Sequence, residues 1–186
     1  IVVRILDHHH QLLSIHKLGF TQEMQDKIIQ LISKSSGFFL VSGPTGSGKT
    51  TTLYAALSHV NSPEKNIITL EVHTNDAPSV VMRLMDMGIE PFLINAAVSG
   101  VLSQRLARTI CNNCKIEKNP SEQELALLKS CNFSVHTLYE GAGCQECLGL
   151  GYKGRIGIFE LLSMTSSLRA LIVKNPSFDA LCKQAS

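Results

Sequence analysis

The stretch GPTGSGKT, residues 43–50, has the residue types and spacing that bind the phosphates of a nucleotide. It matches G-x-x-x-x-G-K-[ST] at every fixed position. Its glycines allow successive backbone N–H groups to point into one cavity, and the helix predicted from about Lys49 adds its dipole. We expect Lys49 to reach the terminal phosphates and the Thr50 hydroxyl to bind Mg²⁺. The predicted ATP-binding residues are Gly43, Pro44, Thr45, Gly46, Ser47, Gly48, Lys49, Thr50 and Thr51.

A plain glycine turn between a strand and a helix is the alternative to a phosphate site. Such a turn does not require Lys and Thr after its last glycine, whereas phosphate and Mg²⁺ binding use both. The apolar run GFFLVS before the motif and the helical spacing after it also have the required order. We therefore predict nucleotide binding at this loop.

Two further candidates for chemistry, Glu71 and His73, lie in the stretch NIITLEVHTNDAPS. Hydrolysis of a phosphoanhydride depends on an acid that orients water and Mg²⁺, and Glu71 ends an apolar run typical of a buried strand. His73 is equally consistent with a hydrogen-bond donor to phosphate and with a solvent-facing loop residue. The run His8, His9 and His10 favours a solvated loop over a metal site.

Cys111-Asn-Asn-Cys114 and Cys144-Gln-Glu-Cys147 form two Cys-x-x-Cys pairs. Each pair can offer two thiolates, and four thiolates fill the tetrahedral coordination sphere of Zn²⁺, so we predict a structural zinc site. Buried or redox-active cysteines are the alternative. A nucleic-acid zinc ribbon is disfavoured because the segment has no basic stripe with interleaved aromatic residues.

The composition gives no global pull toward nucleic acid or anionic membrane, since 17 basic and 15 acidic residues leave a net charge of +2. No window approaches the length of apolar sequence that spans a bilayer. The sequence begins at Ile1, without Met or a signal peptide, so we expect a fragment from a reducing cytosol. The remaining cysteines, Cys131 and Cys182, are expected to be small core residues.

Periodicity and capping signals predict alternating strands and helices. IVVRILD, GFFLVS, NIITLE and RIGIFELL read as strands. Helices are predicted from the N-cap Thr21, after the glycine loop, from the N-cap Asp76 to Gly88, and from Pro91 to about Ala107. The polar segment with the paired cysteines has one further helix, in SEQELALLK, and two short helices end the sequence.

This combination of motifs resembles the ATPases of type II secretion and type IV pilus assembly. The resemblance covers nearly all of the sequence, and its motifs occur together in the family order. The matching stretches are GPTGSGKTTTLYAAL, HTNDAPSVVMRLMDMGIEPFLI, QRLARTIC and CLGLGYKGRIGIFELL, with VVRILD, KLGF and NIITLE also fitting. The resemblance implies an α/β fold with an incomplete RecA-like P-loop core in residues 1–108, a tetracysteine zinc module in 109–154, and a C-terminal strand and helices in 155–186.

The resemblance also shows a loss between Glu71 and Val72. In the family, an acidic box, a helix and the Walker B strand separate the equivalents of NIITLE and HTNDA, whereas here they adjoin. Several dozen residues are therefore absent, and Glu71 corresponds to the first acid of the acidic box. We expect the Walker B strand to be the missing neighbour of GFFLVS, so that NIITLE moves into its place or the domain is poorly stable. An inherited acid with no new role is the favoured interpretation of Glu71.

The family resemblance implies a homohexameric motor that is cytoplasmic, peripheral to the inner membrane, and coupled to an inner-membrane platform protein, with no nucleic-acid partner. His73 matches the family's phosphate-sensing histidine, and Arg4 matches a position near arginines that reach a neighbouring subunit. Arg83, Arg105 and Arg108 are expected on helices, as surface or interface charges.

Two functions follow as hypotheses. The first is a motor domain that binds Mg²⁺ and ATP and couples hydrolysis to protein export or pilus assembly. The second is a catalytically silent remnant that binds nucleotide or assembles through its zinc module, which the missing acids favour. An unrelated small-molecule kinase is disfavoured, since it explains neither the cysteine pairs nor HTNDA.

Overall fold

The computed structural model describes residues 14–34, 36–60 and 71–185, with Glu71 and Ala185 described by their backbone. The chain divides into two compact units. The sheet unit contains the described residues of Ile1–Leu106 and of Gly157–Ser186, and the cysteine unit is Ala107–Ile156. The strand expected in IVVRILD, with Arg4 and the three consecutive histidines, lies outside the described residues, as do residues 66–70 of NIITLE.

The described chain contains both helices and strands. The helices are α1 (Gln22–Ile32), α2 (Lys49–Val60), α3 (Ala77–Asp86), α4 (Pro91–Ala97), α5 (Glu122–Ser130), α6 (Ser166–Ile172) and α7 (Phe178–Ala185). The strands are β1 (Phe38–Ser42), β2 (Glu71–Val72), β3 (Val98–Ile110), β4 (Lys115–Lys118), β5 (Leu138–Gly141) and β6 (Tyr152–Ser163).

The capping residues predicted from the sequence begin their helices as expected. Thr21 Oγ1 accepts a hydrogen bond from the Met24 N–H at 3.3 Å, and Asp76 Oδ1 accepts one from the Ser79 N–H at 2.8 Å. Helix α3 is followed by Gly88, whose positive φ of 83° suits glycine after a helix end. Both predicted N-caps are therefore confirmed. The sequence could predict them because a cap bonds to a residue only a few positions away.

A four-stranded sheet with the order β2-β1-β3-β6 forms the centre of the sheet unit. The central strand β1 runs parallel to β2, with Val41 opposite Glu71, and parallel to β3, with Leu40 opposite Val101. Since the carboxyl ends of parallel strands meet at one edge, the loops that follow β1 and β2 lie side by side.

The helix predicted from Pro91 to about Ala107 is wrong beyond Ala97, where the chain enters β3. All seven residues from Val98 to Gln104 are buried, which is the pattern of a strand covered on both faces. Apolar residues at Ile94, Val98 and Val101 have helical spacing, so periodicity alone could not separate the short helix from the buried strand.

Apolar side chains cover the sheet on both faces. Leu40 and Val101 belong to a large cluster with residues of α3, α4, α6 and α7, whereas Phe39 and Leu102 belong to a second cluster with residues of α1. Successive residues of a strand point to opposite faces, so the short apolar run GFFLVS supplies both clusters.

The cysteine unit is built on a small antiparallel ribbon. Strand β4 pairs with β5, with Lys115 opposite Gly141, and α5 lies in the connection between them. The helix expected in SEQELALLK is confirmed as α5. Within the ranges that the structure describes, no helix is long and apolar enough to cross a membrane.

Candidate functional site

The glycine-rich stretch forms the connection between β1 and α2, as its motif requires. Strand β1 ends at Ser42 and α2 begins at Lys49, so residues 43–48 form the loop. The Gly43 N–H donates to the Val72 carbonyl at 3.3 Å, which ties the start of the loop to the end of β2. The loop therefore lies at the carboxyl edge of the parallel strands, at the N-terminus of a helix.

Close packing explains the glycines at both ends of this loop. A Cβ added to Gly43 would lie 2.2 Å from the Gln104 carbonyl oxygen and 2.7 Å from Ser47 Oγ. Gly43, Gly46 and Gly48 also have positive φ values of 144°, 77° and 86°. Only glycine combines this backbone freedom with the absence of a side chain, so the loop conformation depends on these positions.

The Lys49 side chain is folded into the loop and is only 4 % exposed. Its Nζ donates to the Gly43 carbonyl at 2.9 Å and to the Pro44 carbonyl at 3.0 Å. Of the other predicted phosphate-site residues, Gly43 and Ser47 are also buried and Gly48 is half-buried. The exposed ones are Pro44, Thr45, Gly46, Thr50 and Thr51. The site therefore places a buried positive charge beneath a loop that is open to solvent.

Gln104 contacts this loop, and sequence reasoning missed it. The side chain projects from β3, is 3 % exposed, and donates from Nε2 to the Ser47 carbonyl at 2.7 Å. The signal that could have found it is a lone amide residue at the end of the buried run VSGVLS, since buried polar side chains require partners.

Three buried polar atoms at this edge lack a hydrogen-bond partner among the described residues. They are Ser42 Oγ, Ser47 Oγ and Gln104 Oε1. Buried polar groups in proteins are normally paired, so unpaired atoms beside an anion-binding loop fit a site completed by a bound polar ligand. The donor set of loop N–H groups, one ammonium and one hydroxyl fits phosphate and Mg²⁺.

The strand beside β1 is β2, so of the two predicted outcomes the structure shows the first, in which NIITLE moves next to GFFLVS. Val41 pairs with Glu71 and Ser42 with Val72, so the end of NIITLE occupies the place next to the phosphate-loop strand. The described part of β2 pairs with the carboxyl end of β1, which leads into the loop. Glu71 therefore directly precedes Val72, whose carbonyl accepts the hydrogen bond from Gly43.

His73 directly follows the Val72 carbonyl that holds Gly43, and its side chain is exposed. Its own carbonyl accepts a hydrogen bond from Arg83 Nη1 at 3.4 Å, and the Asn75 carbonyl accepts one from Arg105 Nη2 at 3.0 Å. Two arginines therefore hold the backbone of the loop 73–76 beside the phosphate loop. The predicted phosphate contact of His73 stays a prediction.

The helical placement predicted for Arg105 and Arg108 is wrong, because both lie on β3. Arg83 lies on α3 as expected. The Arg108 guanidinium stacks over the Tyr152 ring at 4.0 Å, within the cysteine unit. An exposed cation–π contact of this kind accounts for Arg108 without any ligand.

The four paired cysteines converge on one point in the cysteine unit. All four Sγ atoms lie within 4.8 Å of one another, and the sulfur pairs Cys111–Cys144, Cys114–Cys147 and Cys144–Cys147 are 3.9, 3.8 and 3.7 Å apart. Four sulfurs bound at about 2.3 Å to a tetrahedral ion lie about 3.8 Å apart, so this geometry fits a metal ion. The residues therefore form a candidate tetracysteine metal site.

Hydrogen bonds to sulfur favour the thiolate form at the second cysteine pair. Cys147 Sγ accepts from the backbone N–H groups of Cys144 and Gly151, both at 3.2 Å, and the bond from Cys144 is the main cause of its lowered pKa. The Asn113 side-chain amide donates to Cys144 Sγ at 3.4 Å and lowers the pKa of that thiol to about 6. Thiolates are the metal-binding form of cysteine.

The two unpaired cysteines do not both lie in the core. Cys131 is exposed at the end of α5, so its expected core position is wrong. Cys182 is half-buried on α7, and burial raises the pKa of its thiol. The sequence could not separate these two residues, because an exposed cysteine after a helix has no local signature.

Comparison with known proteins identifies the family of this chain. The family model described as "Type II/IV secretion system protein" matches residues 1–71 and 72–186. Two relatives give the same result: the type II secretion system ATPase E of Vibrio cholerae is 34% identical over 92% of this chain, and the type IV pilus assembly ATPase PilB of Myxococcus xanthus is 32% identical over all of it. The chain belongs to the type II/IV secretion system protein family.

The same alignments show how much of the relatives this chain spans. It covers 47% of the Vibrio protein and 45% of the Myxococcus protein, so less than half of each. The Myxococcus alignment runs over 253 positions, whereas this chain has 186 residues, so at least 67 positions of the relative have no counterpart here. The two family segments meet between Glu71 and Val72, at the junction where the sequence predicted the loss.

A solved structure supports the fold. The pilus retraction motor PilT, in a structure titled with bound ADP, is similar with a TM-score of 0.58 and 16% sequence identity, over 94% of this chain and 60% of that one. The predicted α/β fold with a parallel sheet is confirmed by this likeness.

Proposed function

We propose that this chain is the ATP-binding motor domain of a type II secretion or type IV pilus assembly ATPase. The observation that carries the proposal is the phosphate loop with its buried lysine at the carboxyl edge of parallel strands, in a chain of this family. The backbone N–H groups of residues 46–49 and the Lys49 ammonium would hold the phosphates, and the Thr50 hydroxyl would bind Mg²⁺. Bound Mg²⁺ supplies charge neutralisation at the β- and γ-phosphates.

The proposal extends to the partners that the family resemblance implies. The chain would act as a homo-oligomer, a hexameric ring, at the cytoplasmic face of the inner membrane, and would drive a membrane platform protein for protein export or pilus assembly.

A second candidate is a form that binds nucleotide but turns it over poorly or not at all. At least 67 positions of a relative are absent here, and the family match breaks after Glu71. By the family resemblance these positions include the Walker B glutamate, and loss of one group that stabilises a transition state costs roughly a hundredfold to a thousandfold in rate. Nucleotide binding would survive this loss, because the phosphate loop is intact.

We further propose that the tetracysteine site holds one structural Zn²⁺. Cys111, Cys114, Cys144 and Cys147 would fill all four coordination positions, which leaves none for a water molecule. Such an ion would stabilise the unit and would take no part in hydrolysis.

Binding and turnover can be separated in one series of measurements. Titration calorimetry with MgATP on the full chain tests binding, and phosphate release tests turnover. Heat of binding without phosphate release supports the silent form, and both together support a working motor domain. Absence of binding overturns the proposal for this chain.

Glu71 is tested in the same series. If Glu71, placed beside β1 by β2, takes part in hydrolysis, Glu71→Gln should lower the rate of phosphate release while MgATP affinity is retained. Equal rates in the unchanged chain and in Glu71→Gln, both at the background of a protein-free sample, would remove Glu71 from the mechanism.

A further inference from the structure

We propose that Gln104 is a positioning residue that fixes the direction of a backbone donor in the phosphate loop. This inference rests on the nucleotide binding proposed above. Gln104 lies on β3, outside the phosphate-loop motif, and acts through the loop and not on the nucleotide itself.

The hydrogen bond from Gln104 Nε2 to the Ser47 carbonyl, at 2.7 Å, sets the orientation of one peptide plane. A trans peptide unit is planar, so its C=O and the following N–H point in opposite directions. The described chain has no cis peptide bond. When the Ser47 carbonyl is held toward Gln104, the Gly48 N–H is therefore directed away from Gln104.

The Gly48 peptide needs such an anchor because its own backbone is permissive. Gly48 has a φ of 86°, a region that glycine leaves and enters easily. A free peptide at this position could rotate and turn its carbonyl oxygen, a negative dipole, toward a phosphate. The Gln104 hydrogen bond disfavours that rotation.

Tight packing keeps the anchor in place. A Cβ added to Gly48 would lie 3.3 Å from Gln104 Nε2, and one added to Gly43 would lie 2.2 Å from the Gln104 carbonyl oxygen. Gln104 thus contacts the loop near both of its ends, through its side chain and its backbone. The Gln104 side chain is 3 % exposed, and close packing of this kind restricts the movement of a side chain.

Two variants of Gln104 separate the donor from the shape of the side chain. Gln104→Met has similar length and cannot donate a hydrogen bond. Gln104→Glu has the same shape, but its ionised carboxylate accepts hydrogen bonds and repels the Ser47 carbonyl. Gln25→Met is the matched control, since Gln25 is also a buried glutamine of the sheet unit, 7 % exposed on α1.

We expect MgATP affinity, measured by calorimetry, to fall about tenfold in Gln104→Met and further in Gln104→Glu, because one misdirected buried donor has roughly this effect. In ¹⁵N-labelled protein the Gly48 amide resonance should shift in both variants and stay unchanged in Gln25→Met. A general loss of stability would move many amides, so a shift confined to the loop, together with the loss of affinity, distinguishes positioning from destabilisation.

Gln104→Met that remains folded and binds MgATP within twofold of the unchanged chain would overturn the inference. If the unchanged chain does not bind MgATP, the proposed function fails. The Gly48 amide resonance still tests whether Gln104 orients the peptide between Ser47 and Gly48. An unshifted Gly48 resonance in both folded Gln104 variants then rejects the positioning role.

Discussion

Lys49 shows how a buried charge can be ready for a ligand without reorganisation. An ammonium has three donor hydrogens, and the described contacts to Gly43 and Pro44 use two of them. The third is the one that we propose to donate to a phosphate oxygen while the loop keeps its internal hydrogen bonds. Because the group is buried, its attraction for an anion is weakened less by water than at the surface.

Replacing Lys49 by Met should therefore separate binding from loop shape. The charge and all three donors are lost while most of the apolar stem remains, so we expect MgATP affinity to fall about 10- to 100-fold, the range of a hydrogen bond to a charged group. Titration calorimetry measures this directly.

Lys27→Met is the control for that substitution, because Lys27 is an exposed lysine of α1 whose partner is Glu23 at 2.7 Å. It should bind MgATP as the unchanged chain does. Equal affinities in Lys49→Met and Lys27→Met would contradict the role given to Lys49.

At the scale of elements, α3 is anchored where it leaves the loop 73–76. Asp76 Oδ1 accepts from the Ser79 N–H at 2.8 Å, and Glu160 Oε2, from β6, accepts from the Ala77 N–H at 2.8 Å. Both bonds satisfy N–H groups that a helix start leaves unpaired, and both place negative charge at the positive end of the helix dipole.

Asp76→Ala should lower the free energy of unfolding of the sheet unit by about 1 kcal/mol, the typical contribution of an N-cap. Urea denaturation followed by circular dichroism measures the change. Asp86→Ala, at the other end of the same helix, removes an exposed acid that faces the negative end of the dipole and should leave stability unchanged or slightly raised. A loss as large in Asp86→Ala as in Asp76→Ala would reject the capping argument.

Helix α5 carries a second test, by titration. The Ser121 backbone N–H donates to Glu124 Oε2 at 2.8 Å and is the main cause that lowers the pKa of Glu124 to about 2, with Lys118 and the Ser121 hydroxyl adding to it. Since the folded-state pKa lies below the ordinary 4.5, the carboxylate stabilises the fold above pH 4.5 and this contribution is lost as the pH falls toward 2.

The ¹³C resonance of the Glu124 carboxyl should therefore titrate near pH 2. In Ser121→Gly the hydroxyl is lost but the backbone N–H and Lys118 remain, so the midpoint should rise only in part. In Lys118→Met the ion pair is lost and a partial rise is again expected. A midpoint near 4.5 in the unchanged chain would show that the capping box is not formed.

The elements differ in how far the sequence could predict them. Helices α1 and α3 and the phosphate loop were predictable because caps and glycines act within a few residues. Strand β3 was not, because its apolar spacing matches a helix and its burial on two faces depends on both clusters of the sheet. Gln104 was missed because its partner, Ser47, is 57 positions away in the sequence, so no local pattern connects the two residues.

At the scale of the whole molecule, the strand that leads into the phosphate loop keeps its neighbours in the sheet despite the loss of family positions. Strand β1 has parallel neighbours on both sides at its carboxyl end, β2 and β3, although at least 67 positions of a relative are absent. The backbone groups of Val41 and Ser42 are therefore paired where an unpaired strand would have been costly. The sequence predicted the junction, but only the register shows which strand fills the place.

The two units have cores of different kinds. Both apolar clusters of the sheet unit consist of its own residues. In the fully described range 107–156, by contrast, the buried hydrophobic residues are Cys111 and Cys147, and α5 buries none of its side chains. A unit of this size without an apolar core usually needs a metal or a cross-link to fold.

We therefore expect removal of the metal to unfold the cysteine unit and to leave the sheet unit folded. Elemental analysis should give about one zinc per chain, and Cys144→Ser should lose it, because structural zinc contributes folding free energy outright. After chelation, hydrogen exchange should become fast across residues 107–156 and stay slow at α3. Cys131→Ser, at the exposed cysteine of α5, should keep both its zinc and its protection. Slow exchange in residues 111–151 of the chelated chain would show that hydrogen bonds within the unit hold it without an ion.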